Sequence, residues 1–284
     1  YTSKGATVRD NHDNYESLFK DISVIVRAKR PSTAREKLEN QALKSGTIMI
    51  GALDPFLADG HVEAYQNAGI IAYSIDQLSL SPDSPMNILA VMSKMAGELA
   101  FEDAYQKSRI KPVTEVLIVG TGTAGLAALQ AARERGLDIT LFSTNINLVK
   151  QESEQRQTKA IHIDKSAPIS AIQDKLLQAA TNASIVITSA RRAGEKAPLL
   201  FPTSTLNAMH PGCCIVDLAL SEGGNVEGSQ HDKTLTLGNS VLVTNVSGYP
   251  KVKPREASLH WSLATRLFIE ALDSDDIEEA KIAI

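Results

Sequence analysis

The chain has only two cysteines in 284 residues, Cys213 and Cys214, and they are adjacent. Neighbouring cysteines cannot staple distant parts of a fold, and no further Cys or His stands at ligand spacing from them. They read as buried structural thiols of a protein kept in a reducing cytoplasm. Aromatic residues are scarce at 5%, with a single tryptophan, Trp261, whose apolar neighbours read as helix packing rather than a stacking platform. No apolar run approaches the roughly 20 residues that span a bilayer, which excludes direct membrane insertion. Positive charge is not in excess: the net charge is −4, which argues against general nucleic-acid binding, a function that wants a basic surface. None of the six histidines, His12, His61, His162, His210, His231 and His260, stands in a metal or nucleophile constellation, so no metal is expected. There is also no initiator Met and no secretory signal. The chain begins at Tyr1, and a trimmed N-terminus is expected.

What is present is an ordinary soluble composition, 43% hydrophobic and 22% charged, in a chain long enough for two domains with separate cores. The organising stretch is EVLIVGTGTAGLAALQAARERGLDITLF, residues 115–142. A short apolar run, Val116-Leu117-Ile118-Val119, reads as a buried parallel strand. Gly120, Gly122 and Gly125 follow in G-x-G-x-x-G spacing. An Ala/Leu-rich helical segment comes next, with Gly136 at the C-cap, and residues 139–142 complete a βαβ unit. Gly120 permits the tight strand-to-helix turn, Gly122 lets backbone approach a pyrophosphate, and Gly125 lets the helix pack close on the sheet. Thr123 and Ala124 lie at the start of the helix, where free N–H groups and the positive dipole end attract phosphate.

On either side the pattern alternates. Strands are expected at 21–26, 47–56 and 70–75, with helices at 32–44 and 61–69. A serine- and proline-rich loop, 79–85, precedes a long helix at 87–108 that is broken only by Gly97. Past residue 142 helices are expected at 148–157, 169–181 and 204–208. Strands are expected at 160–163, 184–188 and 213–220, and edge strands near 234–237 and 241–246. Residues 249–258 read as a linker, and 259–272 as a helix with apolar positions all round that packs on the first domain. The acidic end, DSDDIEE, is a solvated helix or tail.

Several stretches together carry a family resemblance: VRAKRP, SGTIMIGALDP, MAGELA, LIVGTGTAGLAAL, GEKAPLL, MHPGCCIVDLALSEGGNVEGS and the closing helix. They are similar to the soluble NAD(H)-binding alpha subunit (domain I) of proton-translocating NAD(P) transhydrogenase, with alanine dehydrogenase as its nearest relative. The resemblance runs from about residue 21 to residue 272, and GGNVEGS and the glycine unit are its most specific parts. Family members carry a further N-terminal βα segment, in keeping with truncation here. The resemblance implies an α/β fold of two Rossmann-like, doubly wound parallel-sheet domains with a cleft between them for NAD(H). The domains would be residues 1–109 plus 255–284, discontinuous, and 110–254, the dinucleotide-binding domain. It further implies a homodimer in the cytoplasm, peripheral to the inner membrane through partner membrane and NADP-binding components. The activity implied is oxidoreductase hydride transfer between NAD(H) and NADP(H). The candidate cofactor-binding set is Gly120, Gly122, Thr123, Ala124, Gly125, Ser143, Thr144, Asn145, Thr188, Ser189 and Ala190.

Departures from the family pattern matter as much. The family ends its second Rossmann strand with an Asp that grips the ribose hydroxyls. Here Ser143, Thr144 and Asn145 stand in its place, and a serine lacks the charged bidentate grip. Loss of the acid could admit a 2′-phosphate, which wants a nearby Arg, and the closest cation in sequence is Lys150. The family also places an Arg, a Gln and an Asp on the loop before the long helix, to position the nicotinamide. Aligned back from MAGELA, those positions hold Ser79, Ser84 and Asn87, and the C-terminal proline- and arginine-bearing loop becomes PKVKPRE. A non-catalytic dinucleotide-binding paralogue is the alternative reading. Alanine dehydrogenase ranks last, because Arg27 stands where its substrate-binding Lys would be and Asp54 near where its catalytic His would be. Arg27 itself is either a ligand contact or a salt-bridged strand end. Asp217 either holds cofactor or caps the following turn, and Gly223-Gly224-Asn225 is a turn whose backbone either faces the cleft or carries no ligand.

Overall fold

The structure, a computed structural model, describes residues 4–7, 15–19, 21–77, 80–191 and 195–272. The chain divides into two compact units, Tyr1–Leu89 with Leu259–Ile284, and Ala90–Ser258.

In the first unit, helix α1 (Tyr15–Phe19) precedes an alternation of β1 (Val24–Arg27), α2 (Thr33–Ala42), β2 (Ile48–Gly51), α3 (His61–Asn67) and β3 (Ile71–Ser74). The three strands pair in parallel in the order β1-β2-β3. Strand β1 alternates, with Ile25 and Arg27 inward and Val24 and Val26 outward, as a half-covered strand must. Ile25, Leu43, Met49, Leu53, Tyr65, Ile70 and Ala72 form the core. The second unit opens within α4 (Ile88–Lys107). It continues through β4 (Glu115–Val119), α5 (Thr123–Glu134), β5 (Asp138–Ser143), α6 (Ile146–Ser153), β6 (Thr158–His162), α7 (Ile169–Ala180), β7 (Ile185–Thr188), α8 (Thr203–Ala208), β8 (Cys214–Asp217), β9 (Thr234–Leu237) and β10 (Val241–Thr244). Helix α9 (Pro254–Ala271) closes the described chain. Its residues from Leu259 on belong to the first unit, where the Phe268 ring meets that of Tyr73 edge-on at 6.3 Å.

The second unit's sheet has seven strands in the order β6-β5-β4-β7-β8-β10-β9, parallel except for the β9–β10 hairpin. Its central strands are apolar on every residue because both faces are covered. Val116 and Ile118 pack with Ala100, Phe101, Ala104, Ala128 and Leu129 of α4 and α5. Leu117 and Val119 face the opposite way, onto Leu176 and Ala180 of α7 and Leu206 of α8. The two cysteines divide in the same manner, Cys214 into the first layer and Cys213 into the second. Burial holds both thiols protonated and pushes Cys214 up to about 12, so they act as small core side chains.

Four expectations are corrected. Gly97 does not break the long helix, since α4 runs unbroken from Ile88 to Lys107. The glycine is instead a contact point, where a Cβ would lie 2.0 Å from the Ala124 carbonyl oxygen at the start of α5. Residues 249–258 are not a linker: a 3-10 turn spans Tyr249–Val252 and α9 begins at Pro254. Buried Tyr249 anchors the turn by donating its hydroxyl to Asp103 at 2.9 Å. Helix α6 starts earlier than expected, at Ile146, because the Asn145 carbonyl oxygen caps it by accepting from the N–H groups of Asn147 and Leu148, the usual work of an N-cap Asn. The strand expected at 213–220 ends at Asp217, whose carboxylate bends the chain by accepting from the Ala219 N–H at 3.0 Å.

The contact at Gly97 sets two opposed effects against each other. Alanine is favoured over glycine in a helix interior by about 1 kcal/mol, but forcing atoms into a closed contact costs roughly 1–3 kcal/mol or more. Because the obstructing atom is backbone, the clash should win, and Gly97→Ala is expected to lower stability in urea unfolding. A stabilised variant would mean that α4 and α5 do not touch at this point.

Candidate functional site

The strand order reverses between β4 and β7, and in open parallel sheets ligands bind beyond the carboxyl ends of the strands at such a reversal. The register aligns that edge. Val119 pairs with Phe142 on one side and Thr188 on the other, and Thr188 pairs with Asp217. The segments that follow these residues therefore share one rim, and three of them carry the expected cofactor set. Backbone bonds continue the ladder past the strand ends: Gly120 N–H donates to Phe142 O, Ser189 N–H to Val119 O and Leu218 N–H to Thr188 O.

The three glycines do different things here. Gly120 has φ +100°, and a Cβ on it would come within 2.9 Å of the Ser189 carbonyl carbon and 3.0 Å of the Ala190 nitrogen. Gly125 is closed as well, since a Cβ would lie 2.0 Å from the Gly120 carbonyl oxygen. Gly122 is open. It is the N-cap of α5 at φ −69° and ψ 175°, and a Cβ there meets nothing within 4 Å. Between two closed positions the loop thus leaves one concave, unfilled spot. Beside it are the N–H groups of Thr123, Ala124 and Gly125, which have no acceptor within the helix. A pyrophosphate fits such a cradle by hydrogen bonds and by the helix dipole.

At the end of β5, Ser143 is buried and its hydroxyl is already engaged. It lies 2.7 Å from the Thr121 hydroxyl and accepts from Asn145 N–H at 2.9 Å. Asn145 spends its carbonyl oxygen on the α6 cap. Thr144 and Asn145 are the exposed members of the turn, and the three residues are uncharged.

The 188–190 segment is held from behind by a residue that sequence reading assigned only to a turn. Asn225 is fully buried. Its Oδ1 accepts from the Thr188 hydroxyl at 2.7 Å and the Ala190 N–H at 3.0 Å, and its Nδ2 donates to the carbonyls of Ala190 at 2.9 Å and Pro198 at 2.8 Å. Asn225 in turn hangs on Asp217, whose Oδ2 accepts from the N–H groups of Asn225 and Val226 at 3.0 and 3.1 Å. Burial raises the Asp217 carboxyl above its ordinary range, opposed by the peptide N–H groups that it accepts from. Gly224, at φ +81°, must be glycine because a Cβ would lie 2.8 Å from Asp217 Oδ2. Of the two readings of Asp217, the structure supports the turn-forming one.

In the first unit, Arg27 is buried and paired with Glu36 at 3.1 Å and Glu39 at 2.5 Å. Arg30 bridges Glu36 at 2.6 Å and Asp59 at 3.1 Å. Burial pushes the Glu36 carboxyl up, but bonds from Arg30 and Tyr65 outweigh this and leave it below its ordinary value. Arg27 is therefore a salt-bridged strand end. Asp54 follows β2 at φ +53°. On the loop before α4, Ser84 Oγ accepts from Met86 N–H at 3.4 Å. Asn87 Nδ2 donates to the carbonyls of Leu80 and Ser81 at 3.0 and 3.2 Å. Both side chains thus bond to the loop's own backbone, while Ser79 lies outside the described residues. Among the described residues no group of three or more His, Cys, Asp or Glu could hold a metal, and no helix is long and apolar enough to cross a membrane.

Comparison with known proteins agrees with this geometry. Residues 106–283 match the family model described as alanine dehydrogenase/PNT, C-terminal domain. The first of the chains that make up NAD(P) transhydrogenase subunit alpha in Rickettsia prowazekii is 26% identical, over 86% of this chain and 70% of that protein. Its counterpart in Rhodospirillum rubrum is 27% identical, over 90% and 73%. Alanine dehydrogenase of Mycobacterium tuberculosis is 26% identical, over 89% and 70%. The fold is shared with a transhydrogenase crystal structure from Sinorhizobium meliloti, at TM-score 0.77 and 24% identity, with 94% of this chain and 78% of that one covered. With its Rossmann-type glycine rim and a family match over more than half its length, the chain belongs to the alanine dehydrogenase/PNT family of oxidoreductases.

Proposed function

We propose that this chain is the NAD(H)-binding component of a transhydrogenase, working with NADP(H) held on a separate component. The observation that carries the reading is the open position at Gly122 between two closed glycines, beside the unpaired N–H groups of α5. The bound dinucleotide would supply the hydride. The chain's role is to hold the pyrophosphate on Gly122, Thr123, Ala124 and Gly125, and to place the riboses along Ser143–Asn145 and Thr188–Ala190. Transfer between two nicotinamides needs rings held face to face and no protein acid or base. The same reading includes a homodimer, located in the cytoplasm and peripheral to the inner membrane through a membrane component.

A second reading is favoured by a specific observation. The side chains of Ser84 and Asn87 are spent on their own loop, which suits a dinucleotide-binding paralogue with a degenerate nicotinamide site. Amino-acid oxidation is disfavoured, because Arg27 is consumed by Glu36 and Glu39 and is not presented to a substrate carboxylate.

Calorimetric titration with NADH and NADPH tests the proposal. With no carboxylate at the end of β5, both should bind, with weak discrimination. Ser143→Asp should tighten NADH by one charged hydrogen bond, roughly 1.5–3 kcal/mol or about one to two decades, and should repel the 2′-phosphate of NADPH. If the variant binds both as the parent does, Ser143 does not face the ribose. If neither nucleotide binds the parent, the dinucleotide reading falls.

A further inference from the structure

We propose that Asn225 is a positioning residue for the dinucleotide: without touching it, Asn225 sets the 188–190 segment against the glycine turn. The inference rests on the dinucleotide reading above and explains why the GGNVEGS stretch, far from Gly122 in sequence, belongs to the same site. Asn has two donor hydrogens and two acceptor lone pairs on its carboxamide, and here all four are used, on Thr188, Ala190 twice and Pro198. Both polar groups of the Ala190 backbone are thereby fixed from the side away from Gly120.

On the other side the fit is equally close. The peptide joining Ser189 to Ala190 abuts Gly120, and Ser189 Oγ would stand 3.0 Å from a Cβ on Gly125. The position of this peptide is therefore set by two contacts, the glycine turn in front and Asn225 behind. Asp217 fixes Asn225 through its backbone N–H, and Gly224 leaves room for that carboxylate. The path from the β8 end to the rim is thus continuous: Asp217, Asn225, then Thr188 and Ala190. Because the rim lies at the strand-order reversal, where the ligand crosses the sheet edge, a shift of the 189–190 peptide changes the wall of the site itself.

The test uses four proteins: the parent, Asn225→Asp, Thr188→Val and Thr188→Ser. Each is titrated calorimetrically with NADH well below its melting temperature, and each melt is recorded without ligand. Asn225→Asp keeps the shape and the acceptor oxygen but lacks both donors, and its Kd should rise about tenfold or more. Thr188 is fully buried with its hydroxyl on Asn225, so Thr188→Val acts through the same bond and should weaken NADH about three- to tenfold. Thr188→Ser restores the hydroxyl and should bind as the parent does. The double variant with Asn225→Asp should be no weaker than the worse single one, since residues sharing one network do not add.

A merely structural Asn225 would lower the melting temperature of folded Asn225→Asp and Thr188→Val and leave both Kd values within twofold of the parent. That result overturns the proposal while leaving the dinucleotide reading in place. Should Asn225→Asp not fold, the Thr188 pair decides alone, and equal affinity of Val and Ser overturns it. A parent that binds no NADH removes the dinucleotide reading and this proposal together, and shows in the first titration.

Discussion

Gly122→Val is expected to abolish dinucleotide binding while the protein stays folded. The folded chain has room for the new side chain, since a Cβ at this position meets nothing within 4 Å and the backbone, at φ −69° and ψ 175°, is open to any residue. The cost to the fold is that of a poor N-cap, on the order of 1 kcal/mol, which for a unit of this size lowers Tm by about 2–4 °C. The cost to binding is larger. The isopropyl group would occupy the path of the pyrophosphate and separate it from the first N–H groups of α5. Losing two charge-assisted bonds at roughly 1.5–3 kcal/mol each is about two to four decades in affinity. Calorimetry with NADH beside a thermal melt separates the two costs. Unchanged affinity would remove the cofactor role from this loop. Gly125→Ala makes the contrast, because its Cβ would lie 2.0 Å from Gly120 O, so it should damage fold and binding together.

The second large effect concerns hydride transfer. Mixed with the NADP-binding component of a related enzyme, the chain is expected to transfer hydride between nucleotide analogues slowly or not at all. Reacting carbons must approach within roughly 3–3.5 Å, and a misplacement of about 1 Å can cost a factor on the order of a hundred. Positioning side chains therefore matter more than overall affinity. Asn87 is turned to the carbonyls of Leu80 and Ser81, and Ser84 to the N–H of Met86. These short neutral groups cannot reach a nicotinamide as an Arg or Gln would. Stopped-flow measurement of single turnovers decides between the two readings. Rapid transfer would establish a working transhydrogenase subunit with a rebuilt loop, and no transfer with intact NADH binding would establish the degenerate one.

Much of the site was legible because it is local. Val116 to Gly136 holds a strand, a turn and a capped helix within one stretch, and each glycine's role follows from its neighbours in sequence. The four-residue apolar runs of β4, β7 and β8 likewise announce strands covered on both faces. Other features depended on partners far away along the chain. Gly97 looks like a helix defect until Ala124 is brought against it. Arg27 is equally a ligand contact or an ion pair until α2 supplies Glu36 and Glu39. Ser143 appears to be a free ribose ligand until Thr121 and the Asn145 N–H take its hydroxyl.

The sequence by itself therefore determined the alternation of strands and helices, the dinucleotide-type turn and the family, because hydrophobic period, glycine spacing and turn chemistry act over a few residues. Only the tertiary structure decided that Asp217 shapes a turn, that Asn225 secures the 188–190 segment and that Gly122 alone of its three glycines is open. Those facts rest on contacts between segments tens of residues apart, such as Thr188 with Asn225 and Gly120 with Ser189. Such pairings exist only once the β4–β7–β8 register is formed, and no local pattern encodes which buried polar group will meet which.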